Sequence, residues 1–455
     1  MFFALAMALA APTDWVPARW NWTDPKSLEL LDGSPINCLL VDWKDEAESL
    51  APAAAARGVT TLAILTPAQA DLAGAARRAV RARFTGIALE GDFPEGTAER
   101  VRDALADSKA QVIEITSRAR LKLGGPAPVV ATYQGVWAGI EVASGDKAKA
   151  APTGGPWIDT NAGFIRAVRA WGPAAVWLGH RPPAGAVVTT PRYLQMISDC
   201  AAAGARWILA LDPDFAARLA RREPFSLKDW RRLNDHIRFF EDQKDWRALP
   251  PFGKLAIVQE PGPTALLTGG ILDMIAVKHT PVRAVVRERL APGALRNISM
   301  TVNVDREGLT PEQAEVLRGF ARSGGTLLTG PPGWRGAARP GQVTVDKADI
   351  DRLNDIWREV NALIGRRNLG ARLFNVSTVL SNLAATEDAR QVIVHLVNYS
   401  EFPVESITVH VLGDYTQARL QTPEGAERAL EVYKIEEGTG VEIDRVGVAA
   451  TLRLN

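Results

Sequence analysis

The residues best suited to acid–base chemistry in this chain of 455 residues follow short β-branched runs. Asp42-Trp43 closes 36–42, Glu90-Gly91-Asp92-Phe93 closes 86–90 and Glu114 lies within 111–116. Tyr133-Gln134 ends 129–133, His180-Arg181 follows 174–178 and Asp212-Pro213-Asp214 follows 207–211. Cleavage of a glycosidic bond needs one carboxylic acid to protonate the leaving oxygen and a second carboxylate as nucleophile or base, about 5 Å or about 6.5–9.5 Å apart. Glu90 is the expected acid, because Gly91 lets a ligand approach the backbone and Asp92 would disfavour ionisation by like-charge repulsion. Asp212 is the expected second carboxylate. The competing reading is that an Asp at a strand end caps the next helix, a role that Asp214 before Phe215-Ala216-Ala217-Arg218 fits.

Substrate contacts are expected from Asp42, Asp92, Tyr133, Gln134, Trp137, Asp159, Asn161, His180 and Arg181. The stretch from Tyr133 through Trp137 to Trp157-Ile158-Asp159-Thr160-Asn161 combines aromatic, amide and carboxylate groups, as a sugar subsite does. Its structural alternative is a packed loop with Trp as anchor, Asp159 then capping a helix at 160–171. His180-Arg181 would orient a hydroxyl or carboxylate of the substrate, whereas His395, inside an apolar run, reads as a strand residue.

These groups share a rim only if the elements beneath them are parallel strands. From 36 to about 214, β-branched runs at 36–42, 59–65, 86–90, 111–116, 129–133, 174–178 and 207–211 alternate with helical stretches at 46–57, 68–83, 97–108, 160–171 and 190–203, as βα units do. The absence of a Gly-rich phosphate turn favours a TIM-like barrel over a dinucleotide fold, and in a barrel the reacting groups hang from the C-terminal strand ends. The segment 254–259 is either the eighth strand or the opening strand of the next domain. The expected architecture is a barrel over 12–253, an α/β domain over 254–345, and a helix followed by an antiparallel β-sandwich over 346–455. In the middle domain, 254–259, 282–286, 298–304 and 325–329 read as strands. Thr310-Pro311, with Gln313 three residues on from Thr310, is a helix start of the capping-box kind, and Gly324-Gly325 is a stop. Alternation in 392–398, 407–411, 418–421, 430–435, 441–443 and 448–454 reads as the sandwich.

Two segments carry a family resemblance. Asn303-Val-Asp-Arg-Glu-Gly-Leu-Thr-Pro-Glu-Gln-Ala-Glu-Val-Leu-Arg-Gly-Phe-Ala-Arg-Ser-Gly-Gly-Thr-Leu-Leu-Thr329 is similar to the glutamine-amidotransferase-like (flavodoxin-type) accessory domain of family 42 β-galactosidases, and Val394-His-Leu-Val-Asn-Tyr-Ser400 resembles their terminal sandwich. The resemblance covers roughly 255–455 and implies a barrel glycoside hydrolase. Amidotransferase chemistry needs a Cys nucleophile. No Cys follows Cys200, so the middle domain is read as scaffold or oligomer interface.

Composition narrows the partners. With 53 Lys+Arg against 52 Asp+Glu there is no basic field for a phosphate backbone, so nucleic acid is not expected. Cys38 and Cys200 lie in apolar segments and read as buried thiols; no spacing suits a metal and no motif calls for a cofactor. Residues 1–11 form an apolar run whose Ala8-Leu9-Ala10 matches a cleavage site, so export to the periplasm or the extracellular space is expected; no other stretch is long and apolar enough to span a membrane. The expected activity is glycosidic cleavage by paired carboxylates on a carbohydrate substrate. The alternative is a catalytically silent barrel that binds glycans or acts as a scaffold.

Overall fold

The computed structural model describes residues 10–455 apart from 141, 144–146, 149–154, 184, 260–281, 304–305, 331–342, 344–346 and 369. The chain divides into two units, one of residues to Gly135, Gly172–Tyr193 and Ala205–Glu241, the other of Val136–Trp171, Leu194–Gly204 and Asp242–Asn455. The leader expected at 1–11 lies almost wholly outside the described residues, as does most of the Gly/Pro-rich stretch 330–341.

Eight parallel strands make the first unit a barrel: β1 (Pro17–Arg19), β2 (Cys38–Asp42), β3 (Thr60–Leu65), β4 (Gly86–Glu90), β5 (Gln111–Thr116), β6 (Val129–Thr132), β7 (Ala175–Leu178) and β8 (Arg206–Trp207), paired in that order. The ring closes where Ala18 bridges Leu209: the Arg19 N–H donates to the Leu209 carbonyl at 2.7 Å, and the Leu209 N–H to the Pro17 carbonyl at 3.3 Å. The missing strand is therefore Pro17–Arg19 at the start of the chain. The segment 254–259 belongs to another sheet. Helices α1 (Leu50–Ala56), α2 (Leu72–Arg81) and α3 (Thr97–Ala104) follow β2, β3 and β4 as a βα repeat requires. Asp71 caps α2 by accepting from the Gly74 N–H at 2.8 Å.

Side chains alternate across a strand, so every second residue faces the barrel axis. Cys38, Leu40, Leu62, Ile64, Ala88, Ile113, Ile115, Val129, Ala131, Trp177 and Ile208 form one buried cluster with Trp15, whose ring lies 6.3 Å from that of Trp177. Each buried Leu, Ile or Val contributes roughly 1.5–3 kcal/mol. Two residues beyond this core, the same parity directs Asp42, Glu90 and Tyr133 to the inner side of the C-terminal rim. Close strand approach depends on Gly86, where a Cβ would stand 2.3 Å from the Gln111 carbonyl oxygen.

In the second unit, β9 (Leu255–Gln259), β10 (Val282–Val286), β11 (Met300–Asn303) and β12 (Thr326–Thr329) form a parallel sheet in the order β10-β9-β11-β12. Between β11 and β12 runs a helix, Pro311–Arg322, with the reciprocal Thr310–Gln313 capping box in place. It stops at Gly324, whose φ of +96° favours glycine. A further helix, Lys347–Ile364, leads to a sandwich with one sheet of β13 (Ala371–Phe374), β16 (Val404–Leu412), β20 (Gly438–Val446) and β19 (Val432–Lys434). The other sheet orders β14 (Val379–Ala385), β15 (Val392–Asn398), β21 (Ala449–Leu454), β17 (Ala418–Thr422) and β18 (Gly425–Leu430). Single-face burial does not describe β15, because all seven of its residues are buried. Val392, Val394 and Leu396 enter the sandwich core, while His395, on the other face, packs on Trp246 at 4.1 Å between ring centroids. Among the described residues no helix is long and apolar enough to cross a membrane.

Candidate active site

Four charged side chains converge at the C-terminal ends of β1, β2, β4 and β7. Arg19 ends β1 and its guanidinium contacts the Glu90 carboxylate at the end of β4, with both side chains nearly buried at 10 % and 13 % exposed. Arg19 also lies 3.9 Å from Asp42. From beyond β7, Arg181 Nη2 donates to Asp42 Oδ1 at 2.9 Å and stands 3.8 Å from Glu90 Oε1, so those two carboxylate oxygens are no more than about 7 Å apart. Asp42 is half open to solvent, as is Arg181. Burial and the neighbouring Arg181 pull Arg19 down to about 9, with Asp42 opposing them, so Arg19 stays a cation at neutral pH.

The counter-charge of Glu90 is the Arg19 guanidinium. A carboxylate against a guanidinium is suited to act as an anion rather than as a proton donor. Asp92, the proposed like-charge neighbour, is held elsewhere: its Oδ1 accepts from the Ser117 N–H at 2.9 Å and its Oδ2 lies 3.9 Å from Arg120. Tyr133 shares that corner of the rim with Asp92. Burial foremost, then the Asp92 charge, raises its hydroxyl above the usual tyrosine value. Gln134 is tied down by Arg118, whose backbone N–H and Nε donate to its side-chain and backbone oxygens. His180 is exposed.

Asp212 does not stand ready for catalysis. It is fully buried and N-caps the helix Pro213–Ala220, its Oδ1 accepting from the Phe215 N–H at 3.0 Å. Its Oδ2 accepts from the Tyr193 hydroxyl at 2.9 Å and from the Val188 N–H at 3.4 Å. The helix cap is thus Asp212, while Asp214 pairs with Arg218 at 2.8 Å one turn on. Glu114 has the outward parity on β5, bridged by Arg102 at 2.9 Å and Lys122 at 3.1 Å. A cleft of about 630 Å³ opens on that outer side between Phe93, Gly96, Glu114 and Arg120; neither Asp42 nor Glu90 lines it.

Trp137, Asp159 and Asn161 belong to the second unit. Asp159 accepts from the Trp157 indole N–H at 3.0 Å and lies on a short strand, while the following helix, Ala162–Arg169, is preceded by Asn161. Asn161 is fully buried, bonding Val136 through both N–H and C=O and donating to Asp199 at 2.8 Å. Asp199 also accepts from the Tyr399 hydroxyl at 2.6 Å, and burial raises its pKa. These contacts make Asn161 an internal tether, as a packed-loop reading requires. Cys38 and Cys200 are both buried thiols.

Sequence reasoning missed Arg19. The signal was an Arg amid the apolar run Trp15-Val16-Pro17-Ala18-Arg19-Trp20, where only a charge partner makes burial tolerable.

No protein-family model matches the chain, and no curated protein sequence does. Solved structures do. An alpha-L-fucosidase, isoenzyme 2 from Paenibacillus thiaminolyticus, superposes with a TM-score of 0.63 at 10 % identity over 99 % of this chain and 98 % of that one. A rhamnosidase from Novosphingobium sp. PP1Y matches 78 % of this chain and 38 % of its own at 13 % identity, with a TM-score of 0.46. At such identity the first likeness is one of fold: a β/α barrel with a C-terminal β-sandwich is shared with a glycoside hydrolase over nearly the whole length of both chains.

Proposed function

We propose that the protein is a glycoside hydrolase whose working carboxylates are Glu90 and Asp42. The observation that carries this reading is the convergence of the two carboxylates on one barrel rim, within about 7 Å and gripped by the same two arginines. Glu90, braced by Arg19, is the anion that faces the positive charge developing at the anomeric carbon, as nucleophile or as its electrostatic partner. Asp42, half exposed and held by the half-exposed Arg181, is the second carboxylate of the pair, on the side open to water. Tyr133, on the same inner side of the rim, supplies a hydroxyl for hydrogen bonding. Residues 1–11 suit an exported enzyme acting on an extracytoplasmic carbohydrate.

One observation favours a second reading. Both carboxylates are matched by guanidinium groups, as in a barrel that holds sugars without cleaving them. Aryl glycosides of common pyranoses, offered to the wild-type chain and to Glu90→Gln and Asp42→Asn, separate the two. Turnover that both variants lose identifies the hydrolase, and sugar binding without turnover identifies the silent barrel.

A further inference from the structure

The outer face of the β13-β16-β20-β19 sheet has a composition that neither core packing nor solvation explains. The inner face of these strands enters the sandwich core through Leu373, Val409, Val411, Val441 and Ile443. The alternate residues face outward, and the register aligns them: Arg372 pairs with His410, His410 with Gly440, and Gly440 with Tyr433, a single row across all four strands. In the next row Phe374 pairs with Thr408 and Thr408 with Glu442.

The rings in these rows are held in place. A Cβ on Gly440 would stand 2.2 Å from the Tyr433 ring, so the glycine creates the space over which Tyr433 lies flat. Tyr433 donates to Glu442 Oε1 at 2.7 Å, and Thr408 to Glu442 Oε2 at 2.8 Å, which fixes the phenol's position. Phe374 and His410 are 4.7 Å apart between ring centroids, and His410 and Tyr433 are 6.2 Å apart. Arg372 sits 5.5 Å from the Phe374 centroid and is paired with Glu437 at 3.1 Å.

We propose that this strip is a binding platform for neutral polysaccharide, distinct from the barrel site. Sugar rings present apolar C–H faces and hydroxyl edges together; the strip presents aromatic faces bordered at the same level by a guanidinium, carboxylates and hydroxyls. Charge selects the occupant. The carboxylates Glu437 and Glu442 outnumber Arg372, which is already neutralised, so uronate-rich chains are repelled. The apolar area is too small for a protein partner: Phe374 and Tyr433, 38 % and 39 % exposed, offer a small part of the roughly 800 Å² per side of a stable interface.

Affinity electrophoresis of the full-length chain in gels containing galactomannan, xyloglucan, mixed-linkage β-glucan or polygalacturonate tests this. Retardation is expected in at least one neutral gel and not in polygalacturonate. Tyr433→Ala, Phe374→Ala and Gly440→Val, which displaces the ring without removing it, should each weaken that retardation about tenfold or more. The Asp42→Asn/Glu90→Gln double variant should be retarded like wild type, which separates this surface from the barrel site. Migration unchanged in all the neutral gels, retardation only in polygalacturonate, or ring variants that bind as well as wild type would each overturn the proposal. Since Tyr433 and Phe374 stand half exposed on different strands, misfolding of one variant leaves the other to decide.

Discussion

Arg19→Met keeps the apolar stem of the side chain and deletes the guanidinium that faces Glu90. With Arg19 and Glu90 only 10 % and 13 % exposed, the substitution leaves a carboxylate largely out of water without its principal counter-charge. Removing one partner of a buried pair costs roughly 3–5 kcal/mol. Arg181, 3.8 Å from Glu90 but half exposed, replaces only a small part of what is lost, so a destabilisation of about 3 kcal/mol is expected at pH 7. Since methionine keeps the backbone N–H that closes the ring to Leu209, the Glu90→Gln/Arg19→Met double variant isolates the charge. With the uncompensated charge removed, it should recover more than half of the loss. Urea unfolding followed by tryptophan fluorescence is the assay, since Trp15 and Trp177 lie in the barrel core. A loss below about 1 kcal/mol for Arg19→Met, or a double variant no more stable than the single one, would refute the pairing as the brace of Glu90.

Three further outcomes follow from particular contacts. Asp212→Ala removes a helix cap and leaves the buried Tyr193 hydroxyl short of a partner, so it should cost about 2–4 kcal/mol in denaturant unfolding while turnover per folded molecule stays unchanged. His236 and His395 are pulled down to about 3 by burial. Each binds fewer protons folded than unfolded, so the stability they contribute is present above pH 6.5 and is lost at about 1.4 kcal/mol per histidine per pH unit toward pH 3. His395→Gln should flatten that acid limb, and an unchanged pH dependence of the unfolding midpoint would count against the burial argument. Gly86→Ala should destabilise by about 1–3 kcal/mol, because its Cβ would meet a backbone carbonyl that cannot step aside; a neutral effect on thermal unfolding would show that the strands can separate there.

How far this was legible in the sequence depends on the length of the signal. The runs at 38–42, 60–65, 86–90 and 111–116 are long enough for β-branched composition to show, and each is a barrel strand. The three residues Pro17–Arg19 are too few for any period to appear and begin with a proline, so the strand that completes the ring left no pattern. Its place was offered instead to 254–259, an equally apolar run that pairs in another sheet. At the rim, position at the strand ends singled out Asp42, Glu90 and Tyr133, and a two-residue period carried outward from the core gives all three the inward parity. What parity does not reveal is the partner. Arg19, 71 positions before Glu90, meets it only through the closure of the ring. Asp212 differs: Pro213 directly after it is the usual first helical residue, which marks Asp212 rather than Asp214 as the cap.

The most direct measurement is hydrolysis of an aryl-glycoside panel by wild-type protein beside Glu90→Gln, a substitution that keeps size and hydrogen bonding but removes the anion. The expected result is turnover of at least one glycoside by the wild type and a fall of at least about 100-fold in kcat/KM in the variant, with the fold intact by circular dichroism. Equal turnover in the two proteins would remove Glu90 from the chemistry, and sugar binding at the rim without hydrolysis by either would leave a barrel that holds carbohydrate but does not cut it.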